Sequence, residues 1–118
     1  MNLAFFAELE KIHLKAWNEK DPLERHELLK TTYADDIRLY DENMILDGLD
    51  AVSDLIGKLI TEDPAYKFEV VESIEPLQNG ARLYGHINTS GGLMDSMDFF
   101  IMSDGKVKHL YAFIKPAK

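Results

Sequence analysis

The chain has 118 residues, 46% apolar and 29% charged, with a net charge of −8 and no cysteine. That length supports one domain, spanning 1–118, whose core needs no covalent staple, and the missing cysteines exclude disulfides, thiolate metal sites and thiol nucleophiles. An acidic balance without clustered Lys and Arg argues against nucleic acid.

No apolar run approaches the roughly 20 residues that a membrane helix needs. Met1 to Ala7 lacks the basic start of a secretion signal, so a cytoplasmic location without a membrane partner is expected.

Phe5, Leu9, Ile12 and Ala16 recur at helical spacing, and Phe6, His13 and Trp17 widen the stripe. Asn18 to Asp21 interrupt it. Asp21-Pro22-Leu23-Glu24 then predicts a helix start, with Asp as cap, Pro at the first position and Leu28, Leu29 and Tyr33 on the apolar face. Ile37 to Asp41 reads as a short strand, with Met44 to Leu46 as its hairpin partner. Asp47-Gly48 opens a third helix carrying Leu49, Val52, Leu55, Ile56, Leu59 and Ile60, which Asp63-Pro64 closes.

Beyond this point the pattern is strand. Tyr66, Phe68, Val70, Glu72 and Ile74 alternate with mostly polar neighbours. Gln78-Asn79-Gly80, Ser90-Gly91-Gly92 and Ser103-Asp104-Gly105 separate the runs Ala81–Thr89, Leu93–Met102 and Val107–Ile114. The expected class is α+β with a mostly antiparallel sheet.

The last two runs carry apolar residues on both parities, whereas a sheet with one wet face alternates. Helices can cover one face, and a second copy of the chain packed sheet on sheet is the simplest cover for the other, so a homodimer through the outer sheet face is expected. Within the greasy run Met94–Met102 stands Asp98. A carboxylate there loses hydration, so it must be paired, kept protonated or placed at a cavity.

The ordered set of Trp17 through Asp21, Tyr33-Ala34-Asp35-Asp36-Ile37-Arg38-Leu39-Tyr40-Asp41, Gly48 before the third helix, the meander and the final Lys106-Val107-Lys108 strand resembles the NTF2-like superfamily, in its SnoaL-like and ketosteroid-isomerase-like branch. The resemblance implies a cone, in which a curved sheet wraps three helices around one central pocket, in a homodimer. In ketosteroid isomerases the general base ends the first strand, a position held here by Asp41. Their neutral oxyanion-hole aspartate starts an Asp-x-Phe pattern matched by Asp98-Phe99-Phe100, and their oxyanion-hole tyrosine is replaced by His13. Glu42 stands where those enzymes have a proline.

Proton abstraction beside a carbonyl needs a base and donors for the developing oxyanion. Asp41 or His13 is the candidate base and Asp98 the donor or orienter; the residues alone leave the choice open. Trp17, Tyr33, Leu55, Leu59, Phe100 and Met102 are the candidate lining for a small apolar ligand. The implied chemistry is isomerase-, cyclase- or dehydratase-like proton transfer, and the alternative is a non-catalytic binding or assembly module. Neither His-x-x-x-His nor a phosphate-binding glycine loop occurs, so no metal and no cofactor are expected. On their own, Asp41 reads as a turn residue and His13 as a hydrogen-bonded helix histidine.

Overall fold

A computed structural model describes residues 3–118; Met1 and Asn2, the start of the stretch read above for a secretion signal, lie outside the described residues. Three helices, α1 (Leu3–Ala16), α2 (Pro22–Thr32) and α3 (Leu49–Glu62), pack against one curved sheet of seven strands. The strands are β1 (Tyr33–Tyr40), β2 (Ile45–Asp47), β3 (Lys67–Val70), β4 (Glu75–Leu77), β5 (Gly80–Thr89), β6 (Gly92–Ser103) and β7 (Lys106–Pro116). Their order is β2-β1-β7-β6-β5-β3, with β4 also on β5, and every pairing is antiparallel except β1 with β7. This is the expected α+β cone. Among the described residues no helix is long and apolar enough to cross a membrane.

The helix starts follow their local chemistry. The Asp21 carboxylate accepts from Leu23 N at 3.1 Å and Pro22 sits where an N–H is dispensable. Before α3 the chain turns at Gly48 with φ +94°, a conformation that favours glycine. The Lys106 ammonium donates to the carbonyls of Lys30 and Thr31, giving acceptors at the end of α2 a partner. Asn18 ties α1 to the β3 edge: its amide donates to Phe68 O at 2.8 Å and its oxygen accepts from Phe68 N at 2.8 Å.

Three expectations need correction. Tyr33 opens β1 rather than extending α2, whose buried residues are Arg25, Leu29 and Thr32. β1 begins before Ile37 because its first half is paired through a bulge. From Tyr33 to Arg38 it advances five residues while β7 advances two, from Val107 to His109, so the Ala-Asp-Asp stretch is spread outward as an irregularity. There Lys108 pairs with Asp36 and holds that carboxyl below the usual carboxylate range.

The single run Tyr66–Ile74 is broken into β3 and a separate β4. Between Val70↔Gly85 and Glu75↔Arg82 the outer strand covers five steps against three in β5. The surplus bulges out, and Ile74 N donates to the Glu10 carboxylate instead of the ladder.

The core lies between helices and sheet. Phe6, Leu9 and Ala16 of α1, Leu29 of α2 and Val52 and Ile56 of α3 meet Ile37, Leu39, Leu83, Phe100, Val107 and Leu110 on the inner face of the sheet. The inner partners lie opposite one another in register, Leu39 with Leu110 and Phe100 with both Ala81 and Leu110. Helix and strand periodicities therefore point at the same volume.

Candidate active site

A chain of four polar side chains runs through this apolar interior. His13, on α1, is 1% exposed and lies edge-on to Phe68 and Phe100, with ring centroids 5.4 and 5.0 Å away. Its Nε2 is 2.9 Å from Asp98 Oδ2 of β6, and its Nδ1 is 2.8 Å from the Tyr33 hydroxyl of β1. Trp17, just past the end of α1, donates from Nε1 to the same hydroxyl at 3.0 Å. Tyr66 then donates its hydroxyl to Trp17 O at 2.7 Å.

One proton arrangement uses every donor. Trp17 N–H can only donate, so the Tyr33 oxygen accepts and its O–H is free to donate to His13 Nδ1. The imidazole is then the neutral tautomer with its hydrogen on Nε2, which donates to the Asp98 carboxylate. With hydrogen on Nδ1 instead, Tyr33 would accept twice and its own hydrogen would lack an acceptor. Asp98 Oδ2 is thereby engaged. Asp98 Oδ1 accepts nothing from the described residues, and the side chain keeps 11% exposure.

Burial pushes the phenols of Tyr33 and Tyr66 well above the ordinary tyrosine range, and the Asp98 charge adds to the shift of both. A group held protonated by folding contributes stability below its unfolded pKa, near 10 for a phenol, and loses it as pH rises toward the folded value. Titration of tyrosine absorbance should therefore show Tyr33 and Tyr66 ionising only together with alkaline unfolding. Ionisation of all tyrosines near pH ~10 in the still-folded protein would contradict that environment.

A cavity of about 920 Å³ lies on the opposite, outer face of the sheet, where Tyr40, Tyr84, Met97, Tyr111 and Phe113 supply aromatic and apolar surface. Tyr40 and Tyr111 stack at 4.3 Å with their planes 4° apart. Asp41, Glu42, Glu72 and Asp95 give its rim an acidic character, against Lys115 and His86. Two smaller cavities lie elsewhere: one of about 480 Å³ beside Tyr33, Lys106 and Lys108, and one of about 450 Å³ between α2 and α3.

No protein-family model matches the sequence, and no curated protein matches it either. Solved structures do. A protein of the SnoaL-like family from Agrobacterium tumefaciens str. C58, described as a candidate isomerase, superposes with a TM-score of 0.83 at 20% identity, over 95% of this chain and 98% of that one. An NTF2-like protein of unknown function from Burkholderia xenovorans LB400 gives 0.80 at 18% identity, over 100% and 88%. A SnoaL-like polyketide cyclase candidate from Jannaschia sp. CCS1 gives 0.66 at 15% identity, over 92% and 85%.

The chain has the NTF2-like fold. At these identities the likeness fixes the architecture, and the chemistry must come from the residues.

Within this NTF2-like frame the sequence-derived candidates separate into groups. His13, Asp98, Tyr33 and Trp17 come together in one hydrogen-bonded chain, with Phe100 against the imidazole. Asp41 is not part of it: its Oδ1 accepts from Asn43 N and Met44 N, both at 2.8 Å, closing the turn after β1, and the residue lines the outer cavity. Leu55 and Met102 pack half-buried against the core, and Leu59 is half-buried on α3. Tyr33 lines the 480 Å³ cavity; Trp17, Leu55, Leu59, Phe100 and Met102 line none of the three.

Sequence reasoning missed Phe68 as a neighbour of the imidazole, Tyr66 as the donor to Trp17 O, and the outer cavity. The alternation around Phe68 put it on a buried face, but only the Asn18 clamp sets it beside α1.

Proposed function

We propose that this is a small-molecule-binding SnoaL-like protein in which Asp98, oriented by His13, performs acid–base proton transfer on a small apolar carbonyl compound. The observation that carries this reading is the asymmetry of the Asp98 carboxylate. Oδ2 is held by an imidazole whose other nitrogen is itself fixed by Tyr33, while Oδ1 has no donor among the described residues and the side chain as a whole keeps 11% exposure. Such a carboxylate is pre-positioned with one oxygen available, the arrangement that a general base needs.

Both nitrogens of His13 are occupied, so the imidazole acts through Asp98 rather than on substrate. Oδ1 would take a proton from the carbon between the carbonyl and a C=C bond, leaving a dienolate, and return it to the far carbon of that dienolate, which shifts the double bond and amounts to isomerisation. Asp41, committed to its turn, stands outside this unit.

The test is exchange of the α-protons of small cyclic ketones in deuterated water, followed by mass spectrometry. The Asp98→Asn protein should exchange them at least ~100-fold more slowly. Its unfolding midpoint should stay near wild type, because the amide oxygen still accepts from His13 Nε2–H. Equal exchange by the variant sinks the reading.

A second reading, a non-catalytic binding or assembly module, is favoured by one observation: none of the three cavities reaches His13 or Asp98. In it the buried polar chain only fixes how α1 seats on the sheet. Under either reading the outer face, with Phe113 and Tyr84 exposed beside Met97, Phe99 and Tyr111, is assigned to a homodimer interface that fills the 920 Å³ hollow.

A further inference from the structure

Arg25 is a charged group on the buried face of α2, only 4% exposed. Its Nε donates to Ser53 Oγ of α3 at 2.9 Å, and its Nη1 donates to Glu19 O at 2.8 Å and Lys20 O at 3.5 Å. None of the ion pairs among the described residues involves it. A guanidinium removed from water without a counter-charge is costly, and carbonyl dipoles offset only part of that cost.

The remaining nitrogen, Nη2, donates to nothing among the described residues and rests against α3 at Gly57, where a Cβ would stand 2.7 Å from it. Glycine at that position is what lets the guanidinium edge lie so close to the helix.

Arg25 lines the 450 Å³ cavity between α2 and α3. Of the other groups there, the Thr61 hydroxyl is engaged with the carbonyls of Gly57 and Lys58, Lys20 and Asp54 are exposed and of opposite charge, and Pro22 and Ile60 are apolar. The unspent capacity is thus one cationic N–H₂ edge beside an apolar wall. A carboxylate oxygen matches that edge, and charge-assisted hydrogen bonds to guanidinium are the strong kind. Pro22 and Ile60 offer an apolar wall that a hydrocarbon tail can cover and phosphate cannot, which disfavours phosphate.

We propose that the α2–α3 junction is a binding site for a small monocarboxylate bearing a short apolar tail, anchored by Arg25. It is separate from the His13–Asp98 unit and does not depend on it.

The Nε–H signal of Arg25 in the ¹⁵N-labelled protein, held by Ser53, reports on the guanidinium directly. Titration with sodium butanoate should shift it saturably, with a midpoint on the order of 1–10 mM. Phosphate should act more weakly and chloride at matched ionic strength not at all. Gly57→Ala puts a methyl group on Nη2 while improving helix propensity. That variant should stay folded, the gain in helix propensity offsetting part of the cost of shifting the guanidinium, and bind butanoate at least ~10-fold more weakly. A shift that never saturates, an equal response to chloride, or unchanged binding in Gly57→Ala would overturn the site. Tighter binding of phosphate than of butanoate would overturn the monocarboxylate assignment.

Discussion

Replacing His13 by Leu should lower the free energy of unfolding by about 3 kcal/mol, the lower end of what breaking a buried ion pair or its equivalent costs. A lost hydrogen bond alone is worth only about 1 kcal/mol. The larger figure arises because Asp98 would keep its charge in the interior without the Nε2–H that faces it, and Tyr33 would lose the acceptor for its hydroxyl. The residual exposure of Asp98 is why the lower end applies.

Urea unfolding of the single variant and of His13→Leu/Asp98→Leu separates this cause from simple repacking. The double variant should recover most of the loss, since no orphaned carboxylate remains. If His13→Leu falls within about 1 kcal/mol of wild type, the pairing is not what keeps Asp98 in the interior.

Phe113→Asp should weaken self-association at least ~100-fold, about 2.7 kcal/mol, as expected for an aromatic anchor near the centre of an interface. Phe113 is 58% exposed in the single chain and lies opposite Met97 in register. In a symmetric dimer each change occurs twice, on a face that already carries Asp41, Glu42, Glu72 and Asp95. The protomer itself should be unaffected, because an exposed side chain contributes little to its own fold.

Sedimentation equilibrium distinguishes the variants, and the proposed wild-type self-association should tighten with added salt, since two chains of charge −8 repel. A wild-type chain that stays monomeric at high concentration removes the interface assignment.

Legibility of the sequence followed burial on one face. In α3 the apolar spacing marked Leu49, Val52 and Ile56, which are buried. α2 was harder, because the face it turns inward carries Arg25 and Thr32, and a hydrogen-bonded guanidinium does not look apolar. The first half of β1 was invisible for a related reason: Asp35 and Asp36 face outward through a bulge, so alternation fails where pairing is irregular.

Asp98 stood out because a carboxylate in a greasy run demands a partner, and His13 because it interrupts an apolar stripe. Their meeting across 85 residues came from the family resemblance rather than from any local pattern. The outer hollow had no signal beyond apolar residues on both parities, since concavity depends on how the sheet bends.

The parallel pairing of β1 with β7 governs the order in which the molecule can assemble. β1 pairs locally with β2 on one side, but on the other Tyr33 to Tyr40 find their partners at Val107 to Tyr111, so the middle of the sheet waits on the last strand to be made. Until then the β5–β6 and β1–β2 hairpins can each form by themselves, but nothing joins them into one sheet. Closure of so long a loop comes late and slowly. A nascent chain halted short of β7 would therefore expose the unpaired edge of β6 and half of the future interior, a species prone to sticking to its neighbours.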